Sequence, residues 1–206
     1  MKKILLTLLG VIATTNLFAA QVITFDDLGA GGGTSTSGTF ASTSTFTLDI
    51  NLTYSGYASP GLSYWLEASS ALAPALSIAS IIYTTFTDSN QTVSSPENFT
   101  ASSGSSSGFL SETHDLGATT TDGSTIAAGT YTIAQITFAL TNAAAGTYTL
   151  ETTSVLPKES IVTDSSFNDN SLPVSSYTIT VVPEPSVGCL ATFGALMFAG
   201  IRRLRR

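Results

Sequence analysis

A two-residue alternation of apolar and polar side chains governs the middle of this chain. Residues 45–54 read TFTLDINLTY, in which every second side chain from the phenylalanine onward is apolar. Successive side chains of a strand point to opposite faces, so this segment is predicted to be a strand with one buried face. The alternation recurs in VITF (22–25), GLSYWLE (61–67), TIAQITFAL (132–140), GTYTLETT (146–153) and SYTITVV (176–182). The chain is therefore constrained to fold mainly as strands.

Turn-forming residues separate these segments. SGYASPG, TDSNQTVSSPEN and TTDGS are rich in Gly, Pro, Asn, Asp and Ser, the residues that favour turns. LSIASIIYTTF (76–86) is a further strand-like run with a bend, and EASSALAPAL (67–76) is predicted to form at most a short helix, limited by Pro74. Many short strands joined by turns predict that residues 21–182 form one all-β domain, a single antiparallel Greek-key β-sandwich.

A short repeat stands inside this domain. AAGTYTI (127–133) and AAGTYTL (144–150) begin seventeen residues apart. We interpret them as two neighbouring strands that begin with similar Gly-Thr turns.

The two ends of the chain differ from the middle. MKK, the apolar run ILLTLLGVIA and the closing TTNLFAA follow the three-part pattern of a secretory signal peptide. We therefore expect residues 1–20 to form a signal helix that signal peptidase removes during export.

The other end carries an apolar segment and a basic terminus. Residues 187–201 contain no charge, and Arg202, Arg203, Arg205 and Arg206 follow them. Fifteen helical residues reach about 22 Å, against about 30 Å for a bilayer core, so this short transmembrane helix suits a temporary anchor. The arginines are expected to stay cytoplasmic, which leaves the domain outside the inner membrane.

An extended motif precedes that helix. Val182, Pro183, Glu184 and Pro185 form VPEP, in which proline favours extended backbone on its N-terminal side. VPEPS, the short helix and the terminal RRLRR together resemble the PEP-CTERM sorting signal, over residues 182–206. The resemblance implies recognition by an exosortase-type processing enzyme, removal of the tail (183–206), and transfer of the domain to the cell surface or the extracellular matrix in a pathway linked to exopolysaccharide.

The charge of the domain excludes some partners. All fourteen acidic residues lie between Asp26 and Glu184, and Lys158 is the only basic residue in that interval. Such a domain repels nucleic acid and anionic membrane surfaces. The single cysteine, Cys189, lies in the apolar tail, so the domain has no internal disulfide.

The sequence offers little catalytic chemistry. His114 is the only histidine, and it stands beside Asp115 without a nucleophile motif. Glutamates 67, 97, 112 and 151 show no pairing in the sequence, and no cofactor motif is present. Asp164 and Asp169, in TDSSFNDNS, are weak candidates for calcium ligands, and an ordinary polar loop is the alternative.

One aromatic side chain suggests a ligand platform. If Leu62, Tyr64 and Leu66 face the core, Trp65 points outward, where it could stack on a sugar ring with Tyr54 or Tyr57. The alternative is that Trp65 packs at an edge of the sandwich. Residues 127–150, together with GLSYWLEAS, resemble cohesin-like or carbohydrate-binding-like sandwiches.

Three functions follow from these observations. The first is an exported, non-catalytic surface or matrix protein, which needs only a stable acidic domain and a sorting tail. The second is a carbohydrate-binding module, whose ligand would be extracellular polysaccharide and whose mark is an exposed aromatic platform. The third is a small secreted hydrolase, which requires two convergent carboxylates or a histidine-centred triad.

Overall fold

A computed structural model gives the architecture of the domain. It describes residues 21–30, 36–86, 97–101, 107–110, 116–120, 124–156 and 158–184. The predicted signal peptide, the apolar tail helix with its arginines, and His114 lie outside these residues. Among the described residues, no helix has the length and apolar character needed to cross a membrane.

Sixteen strands lie in the described part of the chain. The first eight are β1 (Gln21–Asp27), β2 (Ser37–Ala41), β3 (Thr45–Tyr54), β4 (Gly61–Ser63), β5 (Leu66–Ser69), β6 (Leu76–Tyr83), β7 (Glu97–Ala101) and β8 (Ser107–Leu110). The others are β9 (Ala118–Thr119), β10 (Gly129–Leu140), β11 (Gly146–Thr152), β12 (Ser154–Val155), β13 (Lys158–Glu159), β14 (Ile161–Thr163), β15 (Asp169–Ser171) and β16 (Ser176–Val182). Two short 3-10 turns, Leu28–Ala30 and Ala73–Ala75, complete the secondary structure of this part.

The strands form a β-sandwich, as the alternation predicts. One sheet has the order β1-β3-β10-β6 and the other has the order β8-β5-β11-β16-β2, while β7 pairs with both β6 and β8. Hydrogen bonding therefore continues from one sheet into the other along one side. A smaller sheet, β15-β14-β4-β9, and the ribbon β12-β13 lie outside this order. All these pairs are antiparallel except β2 with β16, which is parallel.

The core lies between the alternating inner faces of the sheets. In β3, Leu48, Ile50 and Leu52 are fully buried, while the intervening residues are partly exposed. β16 repeats the pattern with Tyr177, Ile179 and Val181 buried. These positions match the apolar residues of the sequence pattern, which confirms the all-β fold class.

Aromatic rings connect the two sheets across the core. Phe25 of β1 lies 6.3 Å from Tyr177 of β16, measured between ring centroids. Phe40 of β2 stacks on Phe46 of β3 at 4.2 Å, and Phe46 stacks on Phe138 of β10 at 5.2 Å. Aromatic pairs at such distances add stability beyond the area they bury.

The fold differs from the sequence prediction at three places. GLSYWLE is two strands, because β4 pairs with β14 and β9, whereas β5 pairs with β11 and β8. EASSALAPAL begins in β5 and ends at the first residue of β6, and between them the predicted short helix is only the 3-10 turn Ala73–Ala75, with Pro74 inside it. The two AAGTYT segments do begin with similar turns, but they lead into β10 and β11, which belong to different sheets, so the prediction of neighbouring strands is wrong.

Candidate functional site

Trp65 lies at the junction between β4 and β5, on the outer face of the sandwich. Its neighbours Tyr64 and Leu66 are each 1% exposed, and Trp65 itself is half-buried. The backbone N–H of Trp65 donates to Ser160 Oγ at 3.3 Å, and its carbonyl accepts from the Thr153 N–H at 3.3 Å. The outward position therefore follows from the alternation that buries the two flanking side chains.

A lysine covers the Trp65 ring. Lys158, in β13, places its Nζ atom 5.3 Å from the ring centroid, within the range of a cation–π interaction. Partial burial lowers the pKa of Lys158, and the negative charge of Glu67 opposes that shift. The only basic residue between Asp26 and Glu184 thus lies against the only tryptophan.

Two glutamates meet beside this pair. Glu67 of β5 and Glu151 of β11 are directly opposite each other in the antiparallel register. The pKa of Glu151 is raised by its partial burial, by a hydrogen bond with the Glu67 carboxyl group and by the charge of Glu67. Nothing in the sequence pairs these glutamates, but the strand register brings Glu67 and Glu151 together.

We refer to Trp65, Lys158, Glu67 and Glu151 as the Trp65 cluster. The cluster combines an aromatic face, one ammonium group and two carboxyl groups on the outer side of β5 and β11. Such a group can bind a cation or stack against a ring. The two carboxyl groups come from residues that stand directly opposite each other on neighbouring strands.

Tyr54 and Tyr57 lie elsewhere, at the end of β3. Tyr54 is 1% exposed, and its hydroxyl donates to the Ile126 carbonyl at 2.8 Å. The rings of Tyr54 and Tyr57 are 5.7 Å apart, and the Tyr57 hydroxyl donates to Gln21 Oε1. Burial raises the pKa of both tyrosines to about 12. Tyr54 is therefore a core side chain and does not present its ring to a ligand.

The two aspartates named as calcium candidates belong to the hairpin β14–β15. Asp164 Oδ1 accepts from the backbone N–H groups of Ser166 at 2.8 Å and Asn168 at 2.9 Å, and the hydrogen bonds with Asn168 lower the pKa of Asp164. Asp169 Oδ1 accepts from Thr163 Oγ1 at 3.1 Å. The described residues contain no group of three or more His, Cys, Asp or Glu side chains suited to a metal ion.

A cavity of about 730 Å³ opens where β1 ends beside β2. Its lining includes Asp27, Phe40 and Gln135. Asp27 is nearly buried, and its carboxylate accepts from the Gly29 N–H and from the Tyr177 hydroxyl, each at 2.8 Å. This carboxylate therefore holds the end of β1 against β16.

The predicted sorting motif begins where the sandwich ends. Val182 closes β16 and pairs with Ala41 of β2, and Pro183 and Glu184 follow as exposed residues. Glu184 Oε1 accepts a hydrogen bond from Thr43 Oγ1, in the turn between β2 and β3. Pro185 and the four terminal arginines lie outside the described residues.

No protein-family model and no curated protein matches the sequence. The structure is similar to cohesin modules, the class of sandwich that residues 127–150 resemble. The seventh ScaB type I cohesin from Pseudobacteroides cellulosolvens is 14% identical, with 80% of this chain and 93% of that chain covered and a TM-score of 0.46. A cohesin module of a family 33 glycoside hydrolase from Clostridium perfringens is 15% identical, covers 80% and 100%, and has a TM-score of 0.46.

A third structure is the third ScaC cohesin of Acetivibrio cellulolyticus, solved in complex with the ScaB dockerin. It is 14% identical, with 79% of this chain and 99% of that chain covered and a TM-score of 0.49. At these identities no binding residue carries over to this chain.

Proposed function

We propose that this chain is an exported, non-catalytic protein of the cell surface or extracellular matrix, sorted and processed through its C-terminal tail. The observation that carries the proposal is the tail sequence from Val182 onward, with VPEP, a short apolar segment and terminal arginines. The exposure of Pro183 and Glu184, directly after the last strand, supports it, because a processing enzyme needs accessible extended backbone.

Changes in the two parts of the tail are expected to have different effects. Glu184→Gln should block processing and leave the full-length chain in the inner membrane. Replacing all four terminal arginines with neutral residues should remove the charges that resist translocation, so that unprocessed protein leaves the membrane. Glu159→Gln, in the folded domain, is the matched control and should be processed normally.

The experiment is cell fractionation combined with the intact mass of the exported protein. The expected mass corresponds to a chain that ends near the Pro-Glu-Pro motif. If protein recovered outside the cell still ends in RRLRR, the tail is an ordinary anchor and the proposal is wrong.

A second candidate is carbohydrate binding, and the Trp65 cluster favours it. An outward tryptophan beside two carboxyl groups is a usual combination of stacking surface and hydrogen-bond acceptors in ligand sites. Lys158 lies over the ring, so a sugar that stacks on the same face has to displace the lysine.

A further inference from the structure

The outer face of β5, β11, β16 and β2 carries hydroxyl groups in rows, and we call this surface the polar face. The strand registers place Ser69, Thr149 and Thr178 in one row and Thr147, Thr180 and Thr39 in the next. Ser69 Oγ and Thr149 Oγ1 lie 3.0 Å apart. Neighbouring strands are about 4.8 Å apart and alternate residues about 6.7 Å apart, so the hydroxyl groups form a regular array. The Glu67–Glu151 pair lies in the row beside Ser69.

The composition of this surface favours a glycan over a protein partner. Protein interfaces place buried apolar and aromatic anchors at their centres. On the polar face, the outward side chains of β5, β11 and β16 are hydroxyl or carboxyl groups, with the exception of Val182 at the end of β16. A polysaccharide offers hydroxyl groups to such an array and a ring face to Trp65.

The charge of the Trp65 cluster indicates what kind of glycan fits. The cluster contains two carboxyl groups and one ammonium group, so it carries an excess negative charge when both glutamates are ionised. Lys158 also demonstrates that an ammonium group fits against the Trp65 ring, with its Nζ atom 5.3 Å from the ring centroid. A ligand that brings a second ammonium group balances the remaining charge.

We propose that the polar face binds a polysaccharide that carries free amino groups. Glu67 and Glu151 accept hydrogen bonds from a protonated amine, Trp65 stacks beside it, and the hydroxyl rows contact the sugar hydroxyls. This inference deepens the carbohydrate-binding candidate and does not depend on the tail.

The test is calorimetric titration of the full-length chain, held in a detergent without sugar groups, near neutral pH. The probes are a short glucosamine oligomer and the N-acetylglucosamine oligomer of the same length. They differ only in that each amine of the second oligomer is acetylated and therefore uncharged. The glucosamine oligomer should bind at least about tenfold more tightly, since a hydrogen bond to a charged group contributes roughly that factor.

Four variants locate the site. Glu67→Gln and Glu151→Gln should each weaken binding of the glucosamine oligomer about tenfold. Asp49→Asn removes the same charge from the outer side of β3, in the other sheet, and should leave binding unchanged. Lys158→Gln should strengthen binding several-fold, because it removes the ammonium group that competes for the ring.

The possible outcomes are distinct. If both oligomers bind equally, amine recognition is wrong and the broader carbohydrate-binding candidate stands. If neither binds, that candidate fails as well, while the sorting proposal is untouched. If Asp49→Asn weakens binding as much as Glu67→Gln, or if a lysine-containing peptide of equal charge binds as tightly, attraction by overall charge or by a protein partner replaces the proposal.

Discussion

Glu67 and Glu151 are two like charges held directly opposite each other on neighbouring strands. Such a pair destabilises a sheet, typically by about 0.2–1 kcal/mol. The pKa of Glu151 is raised for a related reason: burial and the neighbouring carboxyl group both favour the protonated form of Glu151 over the ionised form. The pair therefore lowers the stability of the sheet when both carboxyl groups are ionised.

We therefore expect Glu151→Gln to stabilise the protein at pH 7. A raised carboxyl pKa contributes stability that is present below the ordinary value of 4.5 and is lost as the pH rises through the raised value. At pH 7 the substitution should increase the free energy of unfolding by about 0.2–1 kcal/mol, and the gain should disappear in acid. Urea unfolding at both pH values measures the change. A loss of stability at pH 7 would contradict the expectation.

The sequence could predict Trp65 but not its partners. Alternation alone predicts that Trp65 points outward, because this orientation requires only that Tyr64 and Leu66 are buried. The Glu67–Glu151 contact depends on the register of β5 with β11, and these strands are separated by about eighty residues of chain. Nothing local to either glutamate reveals that register, and the same holds for Lys158 over the Trp65 ring.

At the scale of elements, the repeated AAGTYT turn has a clear physical basis. The Tyr131 hydroxyl donates to the Ala127 carbonyl at 2.9 Å, and the Tyr148 hydroxyl donates to the Ala144 carbonyl at 2.8 Å. In each turn the tyrosine ring lies over the glycine two residues earlier. A Cβ atom on Gly129 would lie 2.9 Å from Tyr131 Cε2, so the glycine makes room for the ring.

Gly129→Ala is therefore expected to destabilise the protein by about 1–3 kcal/mol, the usual cost of forcing extra atoms into a packed site. The penalty should largely vanish when Tyr131 is already alanine, because the ring that clashes is gone. A double-mutant cycle of urea unfolding measures the coupling. Equal penalties in both backgrounds would mean that the backbone, and not the ring, requires glycine at this position.

The repeat also separates what a local pattern predicts from what it does not. It predicts two similar turns, which the structure contains. The repeat does not predict that the chain crosses from one sheet to the other between the two turns. That crossing depends on strand pairing, and Leu140 and Gly146 pair with residues that are distant in sequence. Strand alternation is local, whereas strand order is decided by pairing across the whole domain.

At the scale of the whole molecule, the sandwich is complete before the tail begins. The core draws on strands from β1 to β16, and β16 ends at Val182. A chain of residues 21–182 should therefore fold alone, with a circular-dichroism spectrum of β type and a cooperative thermal transition. A spectrum dominated by helix, or a broad transition seen only in the shortened chain, would show that the ends are needed for folding.

The position of Lys158 has a consequence for resistance to proteolysis. Proteases of trypsin specificity cut after lysine or arginine, and between Gln21 and Glu184 that requirement is met at one peptide bond, Lys158–Glu159. That bond lies within β13, in a hydrogen-bonded ribbon, with the lysine side chain held against Trp65. The folded domain thus offers such enzymes a single cleavage site, and the contact with tryptophan shields it.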